Sequence, residues 1–371
     1  MRLALRLARR GRGRTSPNPM VGAVLVKNGQ VIGRGWHRRA GEPHAEIEAL
    51  RDAARRGHAA RGATLYVTLE PCCTHGRTPP CTDAILAAGI RRVVVGATDP
   101  NPRHAGRGFA ILRRAGIQVV TGVLADECAR LNEAFNHWII RGTPFVTVKA
   151  AMTLDGKIAT AAGESKWITG EAARAVGQLL RRASDAILVG VNTILADDPA
   201  LTVRGGTAKS PARLRRIVLD PRARTPLTAR VVTDEFAGLT TIVVGEQAPP
   251  KRVAALARRV KVLVAPPEKR GPRPGEAGRA LNLRWLLRRL GQEGVTRLLV
   301  EGGGETNAAF LFGGHAQRVA FFYAPRILGG RAARRAVAGK GAATRAELLR
   351  LTGVRWRRVG DDWLMLARVE T

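Results

Sequence analysis

The residues best suited to chemistry lie between His44 and Cys81. His44 and Glu46 stand two positions apart, and Cys72 and Cys81 follow, the first of them directly after Pro71. One imidazole and two thiolates can supply three zinc ligands and leave a fourth position open for water, as a catalytic zinc site requires. Glu46 is then not needed as a ligand, and its carboxylate is suited to moving protons beside the activated water.

This order of residues is the signature of zinc nucleobase deaminases, in which H-x-E is followed by P-C and a further Cys. Here the second Cys stands further along than a P-C-x-x-C would place it, so the loop between the thiolates is longer. We therefore predict hydrolytic deamination with His44, Cys72 and Cys81 as metal ligands. Glu46 is the predicted catalytic residue, which takes a proton from water and passes it to the ring nitrogen and the leaving ammonia.

Other interpretations of this segment stay open. A structural zinc knuckle would need a fourth ligand, for which Cys73 or His75 is available, although such sites usually show paired spacing. Glu46 is also explained as a carboxylate favoured by the dipole at a helix start. The remaining cysteine, Cys128, stands in a helical pattern and is expected to be a buried core thiol. A cytosolic cysteine cluster indicates metal binding or catalysis before a disulfide.

The elements that position these residues alternate between strands and helices. The pattern predicts a helix over 1–10, a hairpin of strands 21–27 and 30–36 around Asn28-Gly29, a helix over 44–57, a strand over 63–69, a helix over 81–88, a strand over 92–95, a helix over 109–115, a strand over 118–123 and one long helix over 125–140. Such alternation is typical of α/β layering, with helices on both faces of a sheet. Both ligand cysteines are then expected near helix N-termini, where a thiolate is favoured.

The alternation stops at residues 141–144 and then restarts, so we predict two domains, 1–142 and 143–371. The second is predicted to hold strands over 145–151, 186–191, 216–219, 241–244, 260–264, 297–300 and 319–323, helices over 171–182, 283–290 and 306–312, a loop over 266–278, and a closing edge strand over 363–369. Gly302, Gly303 and Gly304 lie between a strand and a helix, where backbone N–H groups can approach a phosphate. There is no G-x-G-x-x-G fingerprint, so a Rossmann domain is not indicated.

The composition is strongly basic, with 62 Lys and Arg against 29 Asp and Glu and a formal net charge of +33. A nucleic-acid surface is one explanation, but Arg is spread along the whole chain and aromatic residues make up only 4%. We therefore expect phosphorylated small molecules as partners and no specific nucleic acid. No apolar run reaches membrane-spanning length and no signal peptide is present, so we expect a cytoplasmic enzyme that does not bind membranes.

Further motifs carry a resemblance to a known family. They are TSPNPMVGA at 15–23, HAE at 44–46, EPC at 70–72, GRTPPC at 76–81 and DPNP at 99–102 in the first half, and KAAMTLDGK at 149–157, GESKWIT at 163–169, GVNT at 190–193, ADDP at 196–199, LTVR at 201–204 and VEGGG at 300–304 in the second. With these motifs the chain resembles the RibD family of bifunctional riboflavin-biosynthesis deaminase/reductases. The long loop before Cys81 discriminates most, because relatives acting on tRNA adenosine, cytosine or guanine generally have the short spacing. Cys73 stands where the family commonly has Ser, which leaves Cys72 as the matching ligand.

The resemblance implies an α/β protein with an N-terminal cytidine-deaminase-like three-layer domain and a C-terminal dihydrofolate-reductase-like domain. It implies zinc-dependent hydrolytic deamination of 2,5-diamino-6-(5-phosphoribosylamino)pyrimidin-4-one. The second step would be NADPH-dependent reduction of the ribosyl side chain to ribityl, with hydride delivered to the ribose C1 carbon. The implied cofactors are Zn²⁺ and NADPH. A homo-oligomer is expected, because paired active sites in such folds often come from assembly.

The resemblance also implies site residues. The deaminase substrate contacts would be Asn18, His37, His75 and Arg77. The NADPH contacts would be Ala151, Trp167, Thr193, Asp197, Gly303, Gly304, Glu305, Thr306 and Asn307. The reductase substrate contacts would be Lys149, Ser165, Arg181, Leu201, Arg204 and Glu301. The two arginines suit a ribose phosphate through charge-assisted bidentate bonds. Lys149, Asp197 and Glu301 are the candidates for the proton donor of the reduction.

Two other functions stay open at this stage. One is a tRNA or nucleobase zinc deaminase with an accessory C-terminal domain, which predicts the short cysteine spacing and leaves the glycine run at 302–304 unexplained. The other is a zinc-stabilised RNA-binding protein, in which the net charge matters and Glu46 does not. Tight, sequence-selective RNA binding at physiological salt would favour the latter, because non-specific attraction by a basic protein fades with salt.

Overall fold

The computed structural model describes residues 1–75, 79–204, 214–267 and 281–370. The chain forms two compact units, Met1–Thr143 and Pro144–Thr371, and each contains its own large sheet. Within the described ranges, no helix combines the length and the apolar character needed to cross a bilayer.

The first unit is a five-stranded sheet with helices. Its helices are α1 (Arg2–Ala8), α2 (Ala45–Arg55), α3 (Cys81–Ala87), α4 (Arg107–Arg114), α5 (Ala125–Leu131) and α6 (Glu133–Arg141). Its strands are β1 (Gly22–Lys27), β2 (Gln30–Trp36), β3 (Thr64–Leu69), β4 (Arg92–Ala97) and β5 (Gln118–Val120), in the order β2-β1-β3-β4-β5. β1 runs antiparallel to β2 and β3, whereas β3, β4 and β5 are parallel.

Close packing of β2 on α2 fixes where α2 begins. The β1–β2 turn has positive φ at both Asn28 and Gly29, which a two-residue type I′ hairpin requires. A Cβ at Gly33 would lie 2.3 Å from the carbonyl oxygen of Ala49, and one at Gly35 would lie 2.2 Å from that of Ala45. Only glycine therefore allows this approach. α1 packs on the opposite face of the sheet, beside Val24, so the unit has three layers.

The prediction of one long helix over 125–140 is wrong in one respect. The segment forms two helices, α5 and α6. Between them Asn132 leaves the helical conformation, with φ −108° and ψ 19°. Its side-chain oxygen accepts a hydrogen bond from the Met20 amide at 2.8 Å, and its amide nitrogen donates to the Met20 carbonyl at 2.9 Å. An Asn side chain can compete in this way with regular helix bonding, and the partner is 112 positions away in sequence.

The second unit is a nine-stranded sheet with helices. Its helices are α7 (Glu171–Arg182), α8 (Val191–Asp197), α9 (Arg230–Thr233), α10 (Pro250–Ala257), α11 (Leu283–Gln292) and α12 (Gly304–Phe312). Its strands are β6 (Phe145–Thr153), β7 (Lys157–Ala159), β8 (Ala186–Gly190), β9 (Arg215–Leu219), β10 (Thr240–Gly245), β11 (Lys261–Ala265), β12 (Arg297–Val300), β13 (Arg318–Ala324), β14 (Arg334–Arg335), β15 (Leu351–Val359) and β16 (Asp362–Val369). β7 and β14 form a separate ribbon.

The large sheet has the order β11-β10-β9-β8-β12-β6-β13-β16-β15. Its strands from β11 to β13 are parallel, and β16 and β15 complete it in antiparallel fashion. β12 returns late in the chain to lie between β8 and β6, and α8 and α12 start at the carboxyl ends of β8 and β12. Ligands of open α/β sheets bind outside such carboxyl ends where the strand order reverses.

The edge strand predicted for the second unit is wrong, and the predicted loop is only partly described. The segment 363–369 was expected to be the closing edge strand, but it lies inside β16, which is paired on both sides. The edge is β15, whose residues are exposed from Leu351 to Arg358; a strand with no buried face lacks the alternation by which strands are predicted. The predicted loop over 266–278 lies outside the described residues from position 268 onward.

Candidate active sites

One imidazole and two thiols converge in the first unit. His44 caps α2, Cys72 lies in the segment after β3, and Cys81 is the first residue of α3. The three ligand atoms all lie within 4.8 Å of one another. His44 Nδ1 is 3.4 Å from Cys72 Sγ and 3.3 Å from Cys81 Sγ. These separations suit three corners of a tetrahedral site with one nitrogen and two sulfur ligands.

Cys72 is not itself in a helix, yet its sulfur lies at the N-terminus of α3, where it accepts a hydrogen bond from the Cys81 amide at 3.2 Å. Hydrogen bonds from the Cys81 thiol and from His44 lower the pKa of Cys72 to about 4. The pKa of Cys81 is raised, because it donates to Cys72 and is buried beside that negative charge. The pair therefore readily forms one thiolate, and a divalent cation would favour the second.

Glu46 lies in the first turn of α2, is 3% exposed and adjoins the two thiols. Burial, followed by the negative charge of Cys72, raises the pKa of Glu46 to about 7. A carboxyl group whose pKa lies near the working pH can both accept and donate a proton. The structure thus places a buried carboxyl group with a raised pKa beside the three ligand atoms.

Two of the four expected deaminase substrate contacts adjoin this cluster. His37 Nδ1 donates to the carbonyl of Pro43 at 3.2 Å, which leaves Nε2 to accept from the Asn18 amide at 3.2 Å. The rings of His37 and His44 meet edge to face, with centroids 5.2 Å apart. His75 is exposed, and Arg77 lies outside the described residues.

Sequence reasoning missed the role of Glu70. This buried carboxylate accepts hydrogen bonds from the backbone amides of Asp99, Gly106 and Gly108 at 3.0–3.1 Å. It thereby fixes the segment 99–108 beside the residues that lead into Cys72. An acidic residue at the end of an apolar strand, directly before Pro71, is the signal from which such a role could be suspected.

In the second unit, most of the expected ligand contacts lie on or soon after β6, β8 and β12. Lys149 and Ala151 are on β6; Thr193 and Asp197 are on α8; Glu301 and the glycines 302–304 follow β12; Ser165 and Trp167 lie between β7 and α7; Arg181 is on α7; and Leu201 and Arg204 follow α8. Parallel strands place such residues at one edge of the sheet, which explains how positions so far apart in sequence meet.

A charged cluster occupies this edge. Arg181 donates from Nε and NH2 to the two carboxylate oxygens of Glu301 at 2.8 and 3.0 Å, and Lys149 Nζ lies 3.6 Å from Oε2. All three side chains are at most 20% exposed. Burial raises the pKa of Glu301, but Lys149 and Arg181 outweigh it and bring the pKa to about 2. Glu301 is therefore a fixed anion held between two cations.

Ser165 and Asp197 form a second contact, since the Ser165 hydroxyl donates to the Asp197 carboxylate at 3.2 Å. Lys166 lies 3.5 Å from the same oxygen. Trp167 is 57% exposed, with the guanidinium of Arg174 4.7 Å from its ring centre. Its exposed ring is available to stack with a planar ligand.

The expected substrate contacts Leu201 and Arg204 differ in the exposure of their side chains. The side chain of Leu201 is buried in an apolar cluster. Arg204 is exposed, and its backbone amide donates to the Gln178 side chain at 2.8 Å. Arg204 therefore extends from an anchored backbone, whereas the Leu201 side chain faces the protein interior.

The glycine run at the start of α12 leaves open space at one position. A Cβ at Gly302 would lie 2.4 Å from Thr306 Cβ, and one at Gly304 would lie 2.4 Å from the Arg335 carbonyl oxygen. At Gly303, none of the described residues comes within 4 Å of a Cβ. Open space at a helix N-terminus is where backbone N–H groups can receive an anion.

Two expected cofactor contacts in α12 bond instead to the following backbone. Glu305 accepts a hydrogen bond from the Gly339 amide at 3.2 Å, and the buried Asn307 donates to the Ala336 carbonyl at 2.8 Å. These bonds fix the segment 336–339 against α12. Thr306 lies beside Gly190, the last residue of β8, and beside Gly302, which follows β12.

Comparison with known proteins matches both halves of the chain. The family model of the cytidine and deoxycytidylate deaminase zinc-binding region matches residues 1–97, and that of the RibD C-terminal domain matches residues 144–365. The riboflavin biosynthesis protein RibD of Aquifex aeolicus is 47% identical over 330 residues, which cover 89% of this chain and 87% of that protein. RibD of Escherichia coli is 42% identical over 337 residues, with coverage of 89% and 88%.

Solved structures agree with these matches. Acinetobacter baumannii RibD superposes with a TM-score of 0.85 at 36% identity, covering 100% of this chain and 98% of that one. A diaminohydroxyphosphoribosylaminopyrimidine deaminase/5-amino-6-(5-phosphoribosylamino)uracil reductase of Thermotoga maritima superposes with a TM-score of 0.80 at 35% identity, covering 100% and 97%.

Proposed function

The chain belongs to the RibD family, and from this premise we propose that residues 1–142 form a zinc-dependent deaminase domain and residues 143–371 an NADPH-dependent reductase domain. The protein is a bifunctional deaminase/reductase of riboflavin biosynthesis that acts on pyrimidine small molecules and uses zinc and NADPH. The expected cytidine-deaminase-like and dihydrofolate-reductase-like folds are confirmed. A nucleobase deaminase with an accessory domain, or an RNA-binding protein, does not account for the RibD C-terminal match over 144–365.

In the first domain, His44, Cys72 and Cys81 hold the zinc ion, and Glu46 moves the protons. The single observation that carries this assignment is the convergence of one nitrogen and two sulfur atoms within 4.8 Å beside the buried carboxyl of Glu46. When bound, zinc supplies an activated water at neutral pH. The carboxyl of Glu46 would take the two protons of the attacking water in turn and deliver one to the ring nitrogen and one to the leaving amino group, so that C–NH₂ becomes C=O and ammonia leaves.

The deaminase substrate is 2,5-diamino-6-(5-phosphoribosylamino)pyrimidin-4-one. Asn18 and His37 contact its ring, supported by their hydrogen bond beside the metal ligand His44. His75 and Arg77 contact it from the segment between the two cysteines. A basic protein favours a phosphorylated substrate. We propose no specific nucleic-acid partner.

In the second domain, NADPH is held at the edge where β8 and β12 end. The open space at Gly303 and the N-terminus of α12 fit a phosphate group. Its contacts are Ala151, Trp167, Thr193, Asp197, Gly303, Gly304 and Thr306, with Glu305 and Asn307 bracing the start of α12. When bound, NADPH supplies the hydride that reduces the ribose C1 carbon.

Lys149 is the proton donor of the reduction. Glu301 is excluded because its pKa of about 2 leaves it without a proton to give at neutral pH. Asp197 already accepts a hydrogen bond from Ser165 and forms an ion pair with Lys166. Among the candidates this leaves the ammonium of Lys149, held by Glu301, as the group that carries a proton toward the substrate.

The substrate of the reduction is bound by the side chains of Ser165, Arg181, Arg204, Glu301 and Lys149, and by the backbone of Leu201, whose side chain is buried. Arg181 uses Nε, NH1 and NH2 once each, on Glu301 and on the Thr202 carbonyl. A guanidinium has five N–H donors, so two remain for a phosphate. Arg204 supplies a second guanidinium from its anchored backbone.

The assembly and location extend the same proposal. The exposed edge strand β15, with Trp356 55% exposed, supports a homo-oligomer, because a long unpaired edge is an association surface. The four cysteines are free, which supports the cytoplasm, where thiols stay reduced.

The decisive experiment supplies the diaminopyrimidinone phosphate to the zinc-loaded protein and follows the products by mass. Without NADPH the product should show NH replaced by O. With NADPH it should also gain two hydrogens, with one NADPH oxidised per product. Failure to form the first product contradicts the deaminase assignment, and failure to reduce authentic deaminated substrate contradicts the reductase assignment.

A further inference from the structure

The segment 198–204, which follows α8, has an unusual backbone. Asp198 and Leu201 have φ of 38° and 51°, in the left-handed region that residues with a Cβ seldom adopt. Such a conformation persists only where surrounding groups fix it. The groups that fix the backbone of this segment bear on the proposed substrate site, because Leu201 and Arg204 belong to that site.

Two arginines bind the carbonyl groups on either side of Leu201. Arg181 NH1 donates to the Thr202 carbonyl at 3.0 Å, and Arg216 NH1 donates to the Ala200 carbonyl at 3.0 Å. Each arginine is oriented in turn by a bidentate carboxylate, Glu301 for Arg181 and Asp234 for Arg216. Leu201 is therefore held between two arginine–carboxylate clamps, Arg181–Glu301 and Arg216–Asp234. Only the Arg181–Glu301 clamp contains residues of the proposed substrate site.

Arg216 has no capacity to bind a ligand directly. Its side chain lies on β9 and is 1% exposed. Its five N–H donors reach Thr240 Oγ1, the Ala200 and Val231 carbonyls, and both oxygens of Asp234, at 2.6–3.2 Å. Because a guanidinium has only five such donors, any influence of Arg216 on the reaction passes through the groups it holds.

We propose that Arg216, oriented by Asp234, is a positioning residue for the reductase substrate; this rests on the proposed reductase function. By fixing the Ala200 carbonyl, it sets the left-handed turn at Leu201 and the point from which Arg204 extends toward the ribose phosphate. Of the proposed NADPH contacts, Gly303, Gly304 and Thr306 lie where β12 leads into α12, and none of the hydrogen bonds of Arg216 reaches them. Loss of the clamp therefore weakens binding of the pyrimidine and leaves binding of NADPH unchanged.

The test uses the full chain and two variants. Arg216→Lys keeps a cation for Asp234 but lacks the planar fork that also reaches Ala200. The double variant Arg216→Met/Asp234→Leu removes the clamp without leaving a buried unpaired charge, so it keeps the test valid if Arg216→Lys folds poorly. For each, we expect the KM for the deaminated pyrimidine to rise about tenfold and kcat/KM to fall roughly 10- to 100-fold, as a misplacement of about 1 Å costs. The KM for NADPH should stay unchanged.

Arg215→Met is the matched control. Arg215 is the neighbour of Arg216 on β9, so its side chain points to the opposite side of the sheet, where it pairs with Glu293. This variant should change stability but neither KM. The proposal is overturned if Arg215→Met raises the pyrimidine KM as much as the Arg216 variants do, or if those variants change both KM values equally or neither.

The deamination rate of each variant shows whether the first domain is intact. If the wild-type protein fails to oxidise NADPH with authentic deaminated pyrimidine, the proposed reductase function has failed. If the wild-type protein succeeds and the Arg216 variants match it, only the positioning role has failed.

Discussion

Two buried glutamates, one in each unit, have been given opposite protonation behaviour by their neighbours. Burial and the charge of Cys72 raise the pKa of Glu46 to about 7. Glu301 is also buried, but Lys149 and Arg181 overcome the effect of burial and bring its pKa to about 2. Where environments separate the pKa values of like groups, the roles of those groups separate too. We therefore propose that Glu46 exchanges protons and that Glu301 stays charged.

The difference reflects what each half must supply. In the deaminase half the protein itself provides the group that moves protons, so the chemistry depends on a few residues at one point. In the reductase half the cofactor provides the hydride, and the protein provides positions, charge and the proton of Lys149. We therefore expect single changes to abolish deamination but to reduce NADPH oxidation in graded fashion.

Metal removal should separate the halves most completely. Treatment with a zinc chelator should reduce deamination to the background rate, because the activated water that bound zinc supplies is then lost. NADPH oxidation with added deaminated pyrimidine should persist, since the proposed reductase residues contain no metal ligand set. Ammonia release and NADPH absorbance measure the two activities, and Zn²⁺ should restore the first. Equal loss of both activities would contradict the comparison.

Glu46→Gln should have the next largest effect. The amide keeps the shape of the side chain but cannot exchange the proton, so deamination should fall by roughly 10²–10⁴-fold. Zinc content, measured by elemental analysis, should not change, and neither should NADPH oxidation.

Glu48→Gln provides the control on the same helix. Glu48 pairs with Arg38 and Arg51 at 3.2 and 3.5 Å and is not a proposed site residue, so deamination should remain at the wild-type rate. Full turnover by Glu46→Gln with zinc bound would remove Glu46 from the mechanism.

Glu301→Gln tests the contrast between the two glutamates in the reductase half. It leaves Arg181 and Lys149 without their anion, so both cations shift, and NADPH oxidation should fall roughly 10- to 100-fold while deamination stays unchanged. Glu293→Gln is the control, because Glu293 also has its pKa lowered to about 2 by Lys261, Arg215 and Arg289 against the effect of burial. A loss of NADPH oxidation as large in the control would show that charge in general, not the site, is responsible.

The two halves also differ in how far sequence reasoning could reach. Metal coordination limits both residue type and spacing, so His44, Cys72 and Cys81 could be singled out, and they do lie together. The pairing of Lys149, Arg181 and Glu301 could not be derived, because the partners are separated by up to 152 positions and have ordinary charged side chains. Only the return of β12 between β8 and β6 brings them together.

Residues that act through the backbone were the hardest to anticipate. Arg216 looks in sequence like a charge at the start of an apolar strand, and its role depends on Ala200 and Asp234, which are contacts of the folded chain. Asn132 likewise looks like a residue inside a helix, and its break depends on Met20. The overall order of strands and helices was accessible because it follows from local apolar periodicity.

The smallest expected effect concerns stability and pH. The folded pKa of Glu301 is about 2, below its ordinary value of 4.5, so its contribution to the free energy of unfolding is fully present above pH 4.5. That contribution is lost as the pH falls from about 4.5 through 2. By linkage, the wild-type protein should lose about 2 kcal/mol between pH 7 and pH 3 through this group, a loss that Glu301→Gln cannot show.

Urea unfolding of the wild-type protein and of Glu301→Gln at pH 7 and pH 3 measures this difference. Losses from other groups, including the zinc ligands at low pH, occur in both proteins and cancel when the two are subtracted at each pH. The stability advantage of the wild-type protein should therefore shrink at pH 3. An advantage that is independent of pH would mean that Glu301 is not held as an anion by Lys149 and Arg181. The contrast between the two buried glutamates would then rest on Glu46 alone, and the exclusion of Glu301 as the proton donor of the reduction would fall with it.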